Sequence, residues 1–419
     1  MKILLYVAGA PSRRWRPVSP AGADSRGGRL PMGPELRLYA SKGIRVYFSS
    51  LTSILAPIYL ARLGLGPLMV GLGVVAIAAG NVASNVAMTW LGLGRRRSLL
   101  LFASLMMASG LLLASVDWVP AIYIALFLSN VSTTGTEAGP FQSVEVGVLP
   151  RLVDQRRRNR AFGLYNVIGY AASSAGALSS AIPYLSLGVP SMRTAFLGLT
   201  ASGAVMLAIY YGLRGIEPDS PVIARPGLAS FRPRALRDLR NLSALFSVDA
   251  FGGGFVSQSM LSYWFYATYR TPLASLGEIF AVANVITALS IYAASMMADR
   301  IGNLRTMVYT HLLSNAFLVL VPVGGTLAWA VSFLFLRQSL SQMDVPTRQA
   351  MMAELFEDEE RVAANALTNT FRTASSTVSP YVAGYMMSYD ALWGPLWAGG
   401  FIKMAYDLSI YLSYRHRVR

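Results

Sequence analysis

SMMADRIGNLR, residues 295–305, joins two long apolar runs and holds an acid, two bases and a glycine within one short segment. A weaker copy, AMTWLGLGRRR, lies 208 positions earlier at 87–97. Gly94 falls on Gly302 and Arg97 on Arg305, while Leu91 stands where Asp299 would be. Glu137 and Asp344, each just upstream of a proline (Pro140, Pro346), are 207 apart, and Asn166 and Asn369 are 203 apart. In a chain of 419 residues these offsets are half the length. The chain therefore reads as two homologous halves whose loops have gained or lost a few residues. In an apolar chain, such halves imply a transporter architecture.

Composition agrees. Hydrophobic residues make up 54% of the chain and charged residues 13%, well below the ~25% charge of soluble domains, which places the chain in the membrane class. The formal charge of +16 is spread between apolar runs and forms no single basic face, so nucleic acid is not an expected partner. The chain has no cysteine, which rules out disulfides and thiolate metal sites, and no metal or cofactor is expected. It carries no phosphate-cradling loop, HExxH or nucleophile elbow, so no enzyme is expected.

Twelve apolar segments, each near the ~20 residues a bilayer demands, are expected near 43–62, 67–91, 98–117, 119–141, 161–183, 192–213, 243–267, 272–297, 304–323, 325–347, 362–387 and 392–414. The runs are continuous, without period-two alternation, so helices are expected and not barrel strands. The expected fold is an all-α integral membrane protein with twelve transmembrane helices in two pseudo-symmetric six-helix halves. Residues 1–42 read as a disordered basic cytoplasmic arm, 43–213 as the first half, 214–242 as a proline-punctuated cytoplasmic linker, 243–414 as the second half and 415–419 as a cytoplasmic tail. Arginines crowd the arm, the 2–3 and 4–5 loops, the linker and the tail, whereas the opposite loops carry little beyond Arg62, Arg193 and Arg270. The positive-inside rule then puts both termini in the cytoplasm of a multi-pass protein of the cell membrane.

Twelve spans, two halves, cytoplasmic termini and an Asp-Arg-x-Gly segment after helix 8 together resemble the major facilitator superfamily over residues 43–414. That family's loop signature reads Gly-x-x-x-Asp-Arg-x-Gly followed by two bases. Asp299, Arg300 and Gly302 match it, with Ser295 for the leading glycine, and Gly94, Arg95, Arg96 and Arg97 match in the first copy. RQSLSQMDVPTRQ, 337–349, is similar to a poorly characterised prokaryotic branch. The resemblance implies a central cavity lined by helices 1, 4, 7 and 10.

Charges at membrane depth are costly and face a cavity or a partner. In helix 10, Arg337, Ser341, Asp344 and Arg348 fall on one helical face, widened by Gln338 and Gln342. The matching stripe in helix 4 is Asn130, Thr134, Glu137 and Phe141. Arg337 lies near the midplane and is the residue most expected to touch a solute; its possible acceptors are Asp344, Glu137 or the solute itself. Arg372 in helix 11 is placed to bind an anion or to pair with Asp249 in helix 7, which with Gln258 brackets the run DAFGGGFVSQ, 249–258. Lys403 and Asp407 stand at i, i+4 and are expected to neutralise each other. His311 is expected to hydrogen-bond between helices. Asp299, Arg300, Gly302 and Arg305, with Gly94 and Arg95 to Arg97, are expected to form gating latches between helix ends.

The expected function is a secondary transporter moving a small solute by alternating access, as proton-coupled efflux, with Glu137, Asp344 and Asp249 as protonatable candidates. It would work as a monomer in the lipid bilayer, driven by a proton or ion gradient. A symporter or uniporter for an organic solute is the alternative, and a non-transporting sensor or scaffold on the same fold is the second.

Overall fold

Three of the twelve expected spans are broken, and the breaks shape the centre of the molecule. A computed structural model describes residues 33–136, 139–154, 157–213 and 231–417. Among them fifteen α-helices follow in order, with no strand: α1 Pro34–Arg62, α2 Pro67–Trp90, α3 Arg95–Ser115, α4 Val119–Leu128, α5 Pro140–Leu152, α6 Arg158–Leu178, α7 Val189–Tyr211, α8 Pro233–Gly254, α9 Gln258–Tyr269, α10 Leu273–Ile301, α11 Asn303–Leu320, α12 Leu327–Ser341, α13 Asp344–Leu355, α14 Asp358–Ser388 and α15 Gly394–Tyr414. Paired across their breaks, α4–α5, α8–α9 and α12–α13 form spans 4, 7 and 10, so fifteen helices make twelve spans in two six-span halves.

The helix ends follow local chemistry. Proline opens α1, α2, α5 and α8, where its missing N–H is not needed. Ser257 and Thr326 cap α9 and α12 by accepting from backbone N–H groups. Five helices (α1, α2 over Pro67–Met88, α3, α7 and α10) are by length and composition alone apolar enough to cross a membrane. The other spans are interrupted by a break or diluted by polar residues, glycine and tyrosine. Exposed apolar side chains such as Leu111, Val205, Leu289 and Leu412 ring the bundle, and Trp118, Tyr389 and Trp393 stand exposed near one end, the pattern of a lipid-facing belt with interfacial aromatics.

Two helices reach past the boundaries drawn from apolarity. α1 takes in Pro34–Lys42 of the supposed disordered arm, and α8 takes in Pro233–Leu242 of the supposed linker. In α8 the buried Asp238 and Leu242 face partner helices and the exposed side carries Arg234, Arg237 and Arg240, whereas in α1 the polar Ser41 and Lys42 are themselves buried beside Leu38; in both, polar residues mask the helix in an apolarity count. Residues 1–32 of the arm and 214–230 of the linker lie outside the described residues.

Two apolar cores show how the halves meet. One runs through the whole first half and continues into Phe255, Trp264, Phe265, Phe280, Leu334 and Leu396 of the second. The other is confined to the second half, around Phe246, Phe356 and Tyr406, toward the end that carries the termini. The halves are thus fused at the end away from the termini. There Gly71 and Gly384 let α2 and α14 touch: a Cβ on Gly71 would come within 2.4 Å of the Pro380 carbonyl, and one on Gly384 within 2.5 Å of the Pro67 carbonyl.

Candidate functional site

Polar contacts between the halves cluster where spans 4 and 7 break. The chain leaves helix from Ser129 to Gly139 in span 4, with Asn130 at φ 50°, a conformation asparagine tolerates, and Gly135 at φ 73°. In span 7, the three-glycine run ends α8 at Gly254, and the backbone N–H of Ser259 donates to the Thr133 carbonyl at 3.1 Å, tying one break to the other. Those glycines also allow close approach: a Cβ on Gly254 would sit 2.7 Å from the Ser376 carbonyl. Gln258 donates through Nε2 to Ser53 Oγ (2.8 Å) and Ser50 Oγ (3.3 Å) on α1, and its amide fills the space a side chain on Gly135 would need.

The seal continues into spans 5 and 8. Ser173 Oγ donates to the Gly135 carbonyl at 2.7 Å and accepts from Asn284 Nδ2 at 2.9 Å. Ser174 donates to the Ala281 carbonyl at 2.8 Å and Ser180 to the Leu273 carbonyl at 3.1 Å. Among the described residues, the hydrogen bonds between halves all lie from this level toward the end away from the termini. On the other side, toward the terminal end, the described residues make no hydrogen bond from one half to the other, and that side is left open to contacts within each half.

Each half carries its own buried charge centre on that open side. In the first, Glu145 on α5 takes Arg45 of α1 at 2.8 and 3.1 Å, together with the hydroxyls of Ser41 (2.6 Å), Tyr165 (2.7 Å) and Tyr210 (2.7 Å). Glu145 and Arg45 are 0% and 2% exposed; a buried ion pair needs its remaining hydrogen-bonding positions filled, and here the three hydroxyls fill those of the carboxylate, while Arg45 Nε has no acceptor. In the second, Asp249 on α8 meets Lys403 of α15 at 2.5 Å, His311 of α11 at 3.7 Å and Arg372 of α14 at 3.8 Å. His311 Nδ1 lies 2.6 Å from Asp407, which also accepts from Asn315 at 2.9 Å. Arg45 and Asp249 are 204 residues apart, within the repeat offset, so equivalent positions in the two halves carry opposite charge.

The structure brings some expected site residues together and separates others. Arg372 stands 3.8 Å from Asp249, while Arg337 makes no ion pair among the described residues. Gln338 accepts from Arg337 (2.5 Å) and Ser341 (3.1 Å) and donates to Thr287 on α10 (3.3 Å). Asp344 is held by Arg348 at 2.7 Å and not by Arg337. The helix-4 stripe is not a helical face: Asn130 accepts from Ser84 at 2.7 Å inside the break, and Thr134 is engaged with Ser132 and the Thr136 carbonyl there. Glu137 lies outside the described residues. Lys403 and Asp407 do not pair with each other, because each reaches a different helix.

The loop latches are unequal. Gly302, at φ 89°, makes the tight turn between α10 and α11, but its counterpart with positive φ is Gly92 (58°) and not Gly94 (−60°). Asp299, Arg300 and Arg305 are exposed, with no hydrogen bond or ion pair among the described residues. In the first copy, Arg96 donates to the Tyr210 and Tyr211 carbonyls (3.3 and 2.7 Å), Arg95 is buried beside Gly147, and Arg97 is exposed.

Arg45 and Glu145 were not among the sequence candidates. An unbroken 20-residue span begun at 119 ends near 141 and leaves Glu145 in a loop; the break at 129–139 carries it back into the bundle. Two lone charges of opposite sign, each within five residues of a predicted span, were the available signal.

Two membrane halves joined at one end, with broken helices at the centre and a buried charge centre in each half, are the architecture of a multi-pass transporter. The Major Facilitator Superfamily model matches residues 40–343 and 268–408, and the chain belongs to that family. It is 22% identical over 412 residues to the uncharacterized membrane protein YJR124C of Saccharomyces cerevisiae, covering 89% of this chain and 92% of that one. It is 25% identical over 223 residues to the uncharacterized MFS-type transporter YceJ of Bacillus subtilis, covering 52% and 56%. Among solved structures, the nucleoside transporter NupG superposes with a TM-score of 0.69 at 11% identity, over 92% of this chain and 100% of that one, a likeness of fold.

Proposed function

We propose that the protein is a proton-coupled secondary transporter that moves a small solute across the cell membrane by alternating access. It works as a monomer, with both termini in the cytoplasm, and export is the direction the sequence reading favours. The side on which no hydrogen bond joins the halves would then face the cytoplasm. The observation that carries the reading is the nature of the contacts between halves. Apart from one backbone bond, from Ser259 to Thr133, the hydrogen bonds between halves are made by the side chains of Gln258, Asn284, Ser174 and Ser180, each a net ~1 kcal/mol interaction that rocking can exchange, while each half keeps its own buried ion pair intact.

The connected acids Asp249 and Asp407, bridged by His311, support proton coupling, because a proton can be held at either carboxylate within one half. One observation favours cotransport as a second reading. Arg372 and Lys403 both stand against Asp249, so a proton on Asp249 would free positive charge for a solute, and proton and solute would bind together.

The test is proton movement in proteoliposomes loaded with a pH-sensitive dye and exposed in turn to nucleosides, peptides, amines and organic acids. Solute-dependent proton flux that disappears in Asp249→Asn is the expected result. Flux opposite in direction to the solute supports export by exchange, and flux with the solute supports the second reading. Solute movement without proton flux would overturn the coupling, and no movement of any solute would return the sensor reading. The topology has its own test: single cysteines at Arg157 and His416 should react with impermeant reagent only from the cytoplasm, and one at Leu187 only from outside.

A further inference from the structure

The bases of spans 10 to 12, with Arg45 of span 1 for comparison, divide into two kinds. Arg45 is matched to Glu145, Arg348 to Asp344 and Lys403 to Asp249, each at 2.8 Å or less. Arg337 and Arg372 are not matched. Arg337 is 8% exposed, makes one side-chain hydrogen bond, to its chain neighbour Gln338, and its buried Nε has no acceptor. Arg372 reaches Asp249 only at 3.8 Å, beyond hydrogen-bonding distance, from an acid already held by Lys403, and its buried Nε likewise has no acceptor. A guanidinium carries five N–H donors; the buried Nε of each of these two lacks an acceptor, as that of Arg45 does, but neither has the close carboxylate that Arg45 has in Glu145, and an unpartnered buried donor is costly. Arg348, Arg372 and Lys403 stand against Asp344 and Asp249, whereas Arg337 has no acid within ion-pair distance among the described residues.

The place is also right for a solute. Gln338 links Arg337 to Thr287 on α10, and Asn284, one turn away on the same helix face, makes the cross-half bond to Ser173. Arg337 therefore stands immediately on the terminal side of the seal. The side chain of Arg372 is 26% exposed, open enough to be reached.

We propose that Arg337 and Arg372 form an oxyanion-binding site in the transport pathway, so that the solute is a small organic molecule bearing a carboxylate or phosphate group. The assignment rests on the transporter reading and names the chemical class of its substrate. The planar fork of each guanidinium presents Nε and one Nη to the two oxygens of such a group.

The experiment is thermal unfolding of the purified protein with succinate, benzoate and phenyl phosphate, each set against an uncharged partner (succinamide, benzamide, phenol). At least one oxyanion should raise the melting temperature in a saturable way while its neutral partner does not. Its Kd should rise tenfold or more in Arg337→Lys, which keeps the charge and loses the fork, and the shift should vanish in Arg337→Gln with Arg372→Gln. Arg372→Lys gives an independent reading if the glutamine variants fail to fold. Equal stabilisation by the neutral partners, an unchanged shift in both lysine variants, or no response to any of the three oxyanions would overturn the site. Failure of the transporter reading looks different: oxyanions would bind through both arginines, yet proteoliposomes would move none of them.

Discussion

Lys403 places its ammonium 2.5 Å from Asp249 on another helix and leaves Asp407, one turn along its own helix, to His311 at 2.6 Å. Spacing along one helix offered the local pair; packing chose the distant one, because Gly252 and Gly399 let α8 and α15 approach closely enough for Lys403 to lie across the contact. Removing one member of such a pair strands a buried charge, at a cost of ~3–5 kcal/mol. Lys403→Ala should fall at about 3 kcal/mol, the lower end, since His311 and Arg372 remain near Asp249. Asp249→Ala combined with Lys403→Ala should be more stable than Lys403→Ala alone in thermal unfolding. A double variant no more stable than the single would show that the two do not act as a pair.

The Glu145 cage should respond in two steps. Tyr165→Phe removes one of several donors and should lower stability by ~1 kcal/mol. Glu145→Gln orphans Arg45 and should cost ~3–5 kcal/mol. If both changes have equal, small effects on the unfolding midpoint, the cage contributes less than its geometry implies.

Gly135 combines a left-handed backbone with direct contact to Gln258. Gly135→Ala should loosen the seal between the halves without disturbing either charge centre. A cysteine at Ser53 should then react faster with reagent added from the end away from the termini. Unchanged labelling would show that the Gln258 contact does not hold the seal.

At the terminal end, Arg232 donates to Glu360 at 2.9 and 3.2 Å and also pairs with Glu357. These bonds hold the Glu360 carboxyl below its ordinary value. The sign follows from linkage: a lowered folded value adds stability above the ordinary carboxylate pKa of ~4.3, which is lost as pH falls below it. Melting temperature should drop between pH 5 and pH 3, and the drop should be smaller in Glu360→Gln. An equal drop in both proteins would place the acid sensitivity elsewhere.

The fold was legible because apolar runs of bilayer length repeat at half-chain offset. The centre was legible only in part, and for physical reasons. Periodicity assumes an unbroken helix, so the stripe through Asn130, Thr134 and Glu137 dissolved once span 4 opened at Ser129, and Glu145 stayed hidden behind the same break. Arg337, Asp249 and Arg372 could be found because a charge inside an apolar run is conspicuous without knowledge of its neighbours. Their partners could not, since Lys403 to Asp249 and Arg45 to Glu145 join positions 154 and 100 residues apart. A single sequence carries no record of which lone charges meet.

The central claim is that the halves rock about the Gln258–Ser50 seal. Because the chain has no cysteine, spin labels can be placed at Leu91 and Asn365 near the terminal end, and at Leu187 and Tyr389 near the other, with no background to remove. Pulsed dipolar spectroscopy in nanodiscs at pH 5 and pH 8 should show reciprocal changes, the terminal-end distance shortening in the condition that lengthens the other. Distances that change in the same sense at both ends, or at neither, would contradict the account.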